Sequence, residues 1–414
     1  MMGNALEFYD FTLYGIFAVT IGNLFFPAGN PTLSLLASWG AFAAGFMMRP
    51  IGGLFFGYLG DKFGRKYALS LTILLSGAPT LIIGLLPGYD TLGIVAPIIL
   101  VICRLCQGLC TGGEYNGAAI FTLEHVGHIQ PGAAGGLITS SVVIGALLAT
   151  FSGYLVTTYG EEWMWRLPFI AGALISALGF FIRRHMSETP EFEKMKKSGT
   201  PKGLTLLEIY KTHMNSSVIA FFLGAFNGSL TYSLFGFLNM YMSKYLGWDI
   251  GLAMKLNLAG LFMFMILSPA AGYLLDVQGH QRGMRILSAS AFFLIIPVYY
   301  LIQQVDFFSI ILGQAIFGAL AAGIAGAGHI FLQKLFPPEA RYRGISVNFC
   351  MGMALFGGTT PMILTYFIES LHLSLYAPAL YPMAISVVFS IVYFIFGRTR
   401  ETYMETNNYV EQLV

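Results

Sequence analysis

Charge is what this sequence lacks most. Asp, Glu, Lys and Arg together make up 10% of 414 residues, against 56% hydrophobic ones. A soluble domain carries roughly 25% charged and 45–50% apolar residues, so this chain cannot clothe a water-facing surface of its size. Its net charge of +2 leaves out the basic footprint of a nucleic-acid binder. Cysteine is sparse too, and Cys103, Cys106 and Cys110 share one apolar segment, with Cys350 in another. The Cys-x-x-Cys spacing there reads as small packing residues, because a free Cys in a lipid-buried helix behaves as a small hydrophobe. The chain has no Gly-x-x-x-x-Gly-Lys-[Ser/Thr] phosphate loop, which argues against ATP drive. It shows no nucleophile–base pair and no metal-ligand cluster, so an enzyme, a cofactor and a bound metal are not expected. A cleavable signal peptide is not expected either, since the first apolar segment already carries Glu7 and Asp10.

Long apolar runs are what is present. A run of about 20 such residues spans a bilayer core as a helix. Six occur at 3–26, 33–57, 67–86, 94–121, 133–158 and 166–183, and six more at 216–241, 250–275, 284–303, 307–331, 345–368 and 381–396. The sequence therefore predicts an all-α integral membrane protein with twelve transmembrane helices in two six-helix pseudo-repeats. The expected units are residues 1–183, a central loop at 184–213, and residues 214–414. Orientation follows from Lys and Arg. Lys62, Arg65, Lys66, Arg183, Arg184, Arg282, Arg285, Lys334, Arg341 and Arg343 all border loops on one side of this topology. That side and both termini are expected to be cytoplasmic.

The halves share a motif. Gly57-Tyr58-Leu59-Gly60-Asp61 ends the second run and Gly272-Tyr273-Leu274-Leu275-Asp276 ends the eighth, each followed at the same offset by a further Gly, Gly64 or Gly279. Such duplication marks transporters, whose substrate site lies near the midplane between the repeats.

Extended through Lys62-Phe63-Gly64-Arg65-Lys66, the first copy resembles the loop signature of the major facilitator superfamily. Asn4-Ala5-Leu6-Glu7-Phe8-Tyr9-Asp10-Phe11, Arg49-Pro50-Ile51-Gly52-Gly53, Arg104-Leu105-Cys106-Gln107-Gly108 and Trp165-Arg166-Leu167-Pro168-Phe169 are similar to its metabolite–proton symporters, with the proline/betaine carriers nearest. Glu188-Thr189-Pro190 and Phe336-Pro337-Pro338 add to the likeness. Those carriers have a long C-terminal coiled-coil tail, whereas this sequence runs to Val414 without heptads. The resemblance implies a clamp that closes the cytoplasmic ends, for which Gly57, Asp61, Gly64, Arg65, Lys66, Glu124 and Glu188 are the candidates. The second copy carries His280 and Gln281 in place of Arg65 and Lys66, so its clamp is expected to be weaker. A purely topogenic role for these basic loops is the other reading.

Ionisable residues inside spans default to functional candidates. Glu7, Asp10 and Glu114 are the acids well inside apolar runs, faced by Arg49 and Arg104, with Lys255 near an outer end. At about 100° per residue, Arg104, Gln107, Thr111 and Glu114 fall within about 80° on one helix face. Asn4, Glu7, Phe11 and Tyr14 form a face of the first helix, with Asp10 at its margin. In related sugar–proton symporters an Asp of the first helix pairs with an Arg of the fourth, positions that correspond here to Asp10 and Arg104. Burial and a nearby guanidinium pull a carboxylate's proton affinity in opposite directions. An acid that loses and regains its Arg during transport can thus take up and release a proton. Proton coupling is therefore expected of Asp10, Glu7 and Glu114, and substrate contact of Arg104, Arg49, Gln107, Tyr14, Asn227, Tyr232, Lys255 and Asn348. A permanent ion-pair network that only holds helices together is the alternative. His329 is read as structural, and Gly108 with Gly112 as a helix-packing groove.

Secondary active uptake of a small carboxylate-bearing solute or zwitterion, driven by protons, is the function these features favour. The alternatives are a symporter of organic acids such as citrate, oxoglutarate or a citrate-containing compound, or a facilitator or exporter of the same fold. A superfamily exporter would carry a Gly-Pro motif in the fifth helix, and 135–154 has no proline. A sensor would need an appended signalling domain. The expected setting is a bacterial inner membrane, with solute, proton and lipid as partners and a monomer as the working unit.

Overall fold

A computed structural model of the chain describes residues 2–27, 31–126, 130–197, 204–304, 306–369, 371 and 373–411. Almost everything described is helix, and there is no strand among the described residues. Lipid offers no partner to backbone N–H and C=O groups, so apolar runs of this length close their hydrogen bonds internally. Among the described residues, eleven helices are long and apolar enough to cross a membrane. The twelfth crossing is α1, where Met2–Ile16 continues as Ala18–Phe25. The step at Phe17 is spanned by Phe17 N to Leu13 O at 3.0 Å and Ile21 N to Phe17 O at 2.8 Å.

In the first half α2 is Pro31–Phe63, α3 Arg65–Leu85, α4 Val95–Val126, α5 Pro131–Tyr159 and α6 Arg166–Arg184. A short helix, Pro190–Lys197, follows. In the second half α7 is Leu206–Tyr232, extended by π-helical turns to Tyr245, α8 is Ile250–Gln278, α9 His280–Ile302 and α10 Phe307–Leu335. The α11 helix, Pro338–Gly352, passes through a π turn at Met353–Gly357 into Thr360–Glu369, and α12 is Ala377–Glu411.

The helix that carries the seventh apolar run, expected from Ser216, begins ten residues earlier, at Leu206. Thr205 and Glu208 form a reciprocal cap, with Glu208 N donating to Thr205 Oγ1 at 3.3 Å and Thr205 N to Glu208 Oε2 at 2.7 Å. That cap starts a helix whose first turns are polar, so hydropathy alone missed them. A kink at His213 (φ −128°, ψ 34°) separates these turns from the apolar span.

Within the first half α2 packs on α4, α3 on α6 and α1 on α5, while in the second α8 packs on α10 and α7 on α11 and α12. The halves meet through α2 against α11 and α5 against α8, with α5 also reaching α10. Glycine sets the α2–α4 spacing. A Cβ on Gly108 would fall on the Gly45 backbone, and one on Gly112 on the backbones of Arg49 and Gly53. This is the close approach that small-xxx-small spacing permits. It brings Arg49 and Arg104 onto adjoining, tightly packed helices.

Candidate functional site

A cavity lies between the halves at the middle of the helices. Its lining includes Arg49 of α2, Thr111 and Tyr115 of α4, Asn227 and Thr231 of α7, and Met353 of α11, with Phe8 and Phe264. Arg49 is its charged residue. The Arg49 guanidinium donates through Nη1 to Tyr232 Oη at 3.0 Å, across the two halves. It rests over Phe46 at 4.1 Å and Phe11 at 4.6 Å, and its Nε has no hydrogen-bond partner. Cation–π contact of this kind is worth roughly 0.5–2 kcal/mol, enough to hold the group but not to satisfy all five N–H donors.

Behind the cavity, within the first half, runs a chain of hydrogen bonds. Arg104 Nη1 donates to Gln107 Oε1 at 2.7 Å, Gln107 Nε2 to Thr80 Oγ1 at 2.8 Å, and Thr80 Oγ1 to Asp10 Oδ2 at 2.6 Å. The Asp10–Arg104 pairing implied by the resemblance is thus relayed through two neutral side chains rather than made directly. The physical reason is visible in the packing. Arg104 is turned into an aromatic box, over Tyr14 at 4.2 Å, Phe11 at 4.8 Å and Phe42 at 5.4 Å, and its Nε and Nη2 are unpartnered. Asp10 is only 6% exposed and fits against Gly172 of α6, where a Cβ would come within 3.0 Å of Oδ1.

Of the remaining candidates, Asn227 lines the cavity and Tyr14 lies against Arg104, and the others fall elsewhere. Arg183 at the end of α6 grips Glu114 with both Nη atoms, Nη1 at 2.7 Å, and Thr72 Oγ1 donates to it at 2.5 Å. Glu114 therefore sits in a bond network inside one half. Tyr14 Oη donates to Ser38 O at 3.1 Å. Asn227 Oδ1 accepts from Thr231 at 3.4 Å. Asn348 binds Tyr210 Oη and Gly344 O, below the cavity, and Lys255 is exposed. Glu7 lies on α1, but its side chain is outside the described residues.

The end of the molecule rich in Lys and Arg is sealed. Arg65 Nη1 pairs with Asp61 at 3.4 Å and its Nε with Glu124 at 3.5 Å, while Arg341 of α11 reaches Glu124 at 3.4 Å. Gly64, at φ +115°, makes the turn that only glycine adopts easily, and Glu188 then accepts from the N–H groups of Arg65 and Lys66 at 3.1–3.2 Å. Gly57 lets Arg343 of α11 approach α2. Tyr342 Oη donates to Gly113 O at 2.8 Å. The second copy of the motif also clamps. Asp276 accepts from Gly132 N at 2.9 Å and from Ala133 N at 3.2 Å, at the start of α5. Its clamp is expected to be weaker than the first, since His280 and Gln281 stand where the first copy has Arg65 and Lys66, although Lys334 attracts Asp276. The α5 helix N-terminus supplies the positive pole instead.

Sequence reasoning missed Thr80, Thr72 and Tyr342, because hydroxyls in apolar helices carry no periodic signal. Among the described residues no cluster of His, Cys, Asp and Glu could hold a metal.

Comparison with known proteins fits this architecture. The model of the Major Facilitator Superfamily matches residues 1–361. The glycine betaine/proline/ectoine/pipecolic acid transporter OusA of Dickeya dadantii (strain 3937) is 32% identical over 401 residues, 94% of this chain and 80% of that protein. The proline/betaine transporter of Escherichia coli (strain K12) shows the same identity and coverage. Among solved structures, the proton:xylose symporter XylE bound to 6-bromo-6-deoxy-D-glucose has a TM-score of 0.75 at 16% identity, covering 95% of this chain and 94% of that one. Twelve crossings in two halves, a cavity between them and a sealed basic end, with a family match over most of the length, establish that the chain belongs to the Major Facilitator Superfamily and is a multi-pass membrane transporter.

Proposed function

We propose that this transporter takes up a small zwitterion of the proline or betaine kind together with protons, by alternating access. The observation that carries this reading is the cavity, where one guanidinium stands among neutral and aromatic side chains. Arg49 offers a carboxylate a planar pair of N–H donors. Phe8, Tyr115 and Phe264 offer faces to an alkylated ammonium. A citrate-like anion would ask for more cations, and the nearest, Arg104, is walled off behind Phe11, Tyr14 and Phe42. The names of the curated relatives at 32% identity point to the same solutes.

Asp10 is the proposed proton site. It is the buried acid whose link to an Arg runs through rotatable neutral groups, so the link can be broken and remade during the cycle. Glu114 is proposed as a structural pair with Arg183. The basic end is taken as cytoplasmic by the positive-inside rule, in a bacterial inner membrane, and the seal described above then closes the cytoplasmic side. One chain supplies both walls of the cavity and both clamps, which supports a monomer as the working unit.

A thermal-shift screen of purified protein against about fifty zwitterions and organic acids tests the substrate class, because selective binding stabilises the folded state. Proline or glycine betaine is expected to raise the unfolding temperature, and Arg49→Gln to abolish that rise. Stabilisation by citrate or oxoglutarate and by neither zwitterion overturns it.

A further inference from the structure

Phe11 is shared by the two buried arginines. The Arg49 guanidinium lies over its ring at 4.6 Å and the Arg104 guanidinium at 4.8 Å. One of these cations faces the cavity, and the other begins the hydrogen-bond relay that ends on Asp10. Phe11 is also the residue next to Asp10 on α1. Neither arginine is satisfied by hydrogen bonds, since Arg49 Nε and Arg104 Nε and Nη2 are buried without partners. Phe11 is a ring that both guanidinium groups share, while Phe46 lies closer to Arg49 and Tyr14 closer to Arg104.

We propose that Phe11 is the positioning residue through which a carboxylate held by Arg49 is felt at Asp10. The proposal rests on the zwitterion–proton symport reading above. A carboxylate arriving at Arg49 neutralises that charge and draws it off the ring. The repulsion between the two guanidinium groups falls, and the electron-rich face of Phe11 is left to Arg104. Arg104 then shifts, and Gln107 and Thr80 shift with it. The hydrogen bond to Asp10 is loosened or tightened without any direct contact between solute and acid. Asp10 is faced by Tyr9 of its own helix, by Thr80 of α3, by Gly172 of α6 and, through the relay, by Arg104 of α4.

The test uses the full chain in liposomes, with proline and glycine betaine as probes, and compares Phe11→Leu and Phe11→Met with Phe11→Tyr, which keeps the π face. Exchange at equal pH measures the solute cycle, and accumulation under a pH gradient measures coupling. Leu and Met are expected to lower accumulation at least about tenfold while lowering exchange by no more than about threefold, and Tyr to restore both. The infrared band of the protonated Asp10 carboxyl, identified by its loss in Asp10→Asn, needs no solute. Its titration midpoint is expected to move by about one pH unit in Leu and Met, a tenfold change in proton affinity, and not in Tyr. Parent-like accumulation and an unmoved midpoint in Phe11→Leu overturn the proposal. So does equal loss of exchange and accumulation, which would make Phe11 part of the binding site alone. If the parent itself takes up neither probe, the substrate reading fails, and the infrared midpoint still decides the role of Phe11.

Discussion

The two halves of this transporter follow one plan in backbone and differ sharply in charge. Among the described residues, Asp10, Arg49, Asp61, Arg65, Arg104, Glu114 and Glu124 are buried charged side chains of the first half. The second half buries Arg343 and, beyond it, neutral polar groups such as Asn227, Asn257, Gln314 and His329. Taking a charge out of water costs several kcal/mol unless it is compensated, so seven in one bundle are retained for a reason. The difference teaches where this fold keeps its buried charge, in the first half, while the second presents mostly neutral side chains. Under the function proposed above, that is a division of labour between proton exchange and enclosure of the solute.

The same asymmetry marks the two clamps. On α2, Asp61 is tied to a basic cluster through Arg65, Glu124 and Arg341. On α8, Asp276 accepts from the N–H groups that open α5, and Lys334 of α10 adds an attraction to it. Charge pairs in one copy are replaced by a helix terminus in the other.

Substitutions can break this comparison, the severest first. Arg104→Lys keeps the charge but loses the planar group that stacks on Tyr14 and Phe11. Uptake of labelled proline or betaine per molecule of protein is expected to fall about a hundredfold, and parent-like uptake would remove Arg104 from the coupling half. Arg65→Ala removes the cation that Asp61 and Glu124 share and leaves them Arg343 and Arg341. The transport cycle is expected to slow about tenfold with membrane insertion intact, as judged by uptake against surface-labelled protein. Asp276→Ala removes the hydrogen bonds to α5 and is expected to cost about threefold in the same assay. If Asp276→Ala proved the more damaging, the ranking of the clamps would be reversed. Glu114→Gln is expected to lower the unfolding temperature by several degrees, because Arg183 loses its ion pair. It should leave the ratio of accumulated solute to pH gradient unchanged, and a collapsed ratio would return Glu114 to the proton path.

Much of this was legible in the sequence, because membrane insertion writes itself in long runs and in the few charges that interrupt them. The twelve spans, the repeat at Gly57–Asp61 and Gly272–Asp276, and the packing role of Gly108 and Gly112 need only composition and spacing. What stayed hidden depends on the order of helices around the core. Arg49 and Arg104 carry the same charge on neighbouring helices, and only the position of α1 shows that Phe11 and Tyr14 screen Arg104 while Arg49 meets the cavity. The partner of Glu114, expected among the proton-coupling acids, stayed hidden because Arg183 lies 69 positions away at a helix end where a basic residue already had a topogenic explanation. The partner of Asp276 stayed hidden because the positive end of a helix leaves no mark in residue identity.

Concentrative uptake by Asp10→Asn in liposomes with an imposed pH gradient tests the central claim most directly. Asn imitates the protonated carboxyl permanently, and Thr80 can still hydrogen-bond to it. The account predicts that accumulation of proline or betaine falls to the equilibrium level while exchange at equal pH persists. Accumulation matching that of the parent would contradict it.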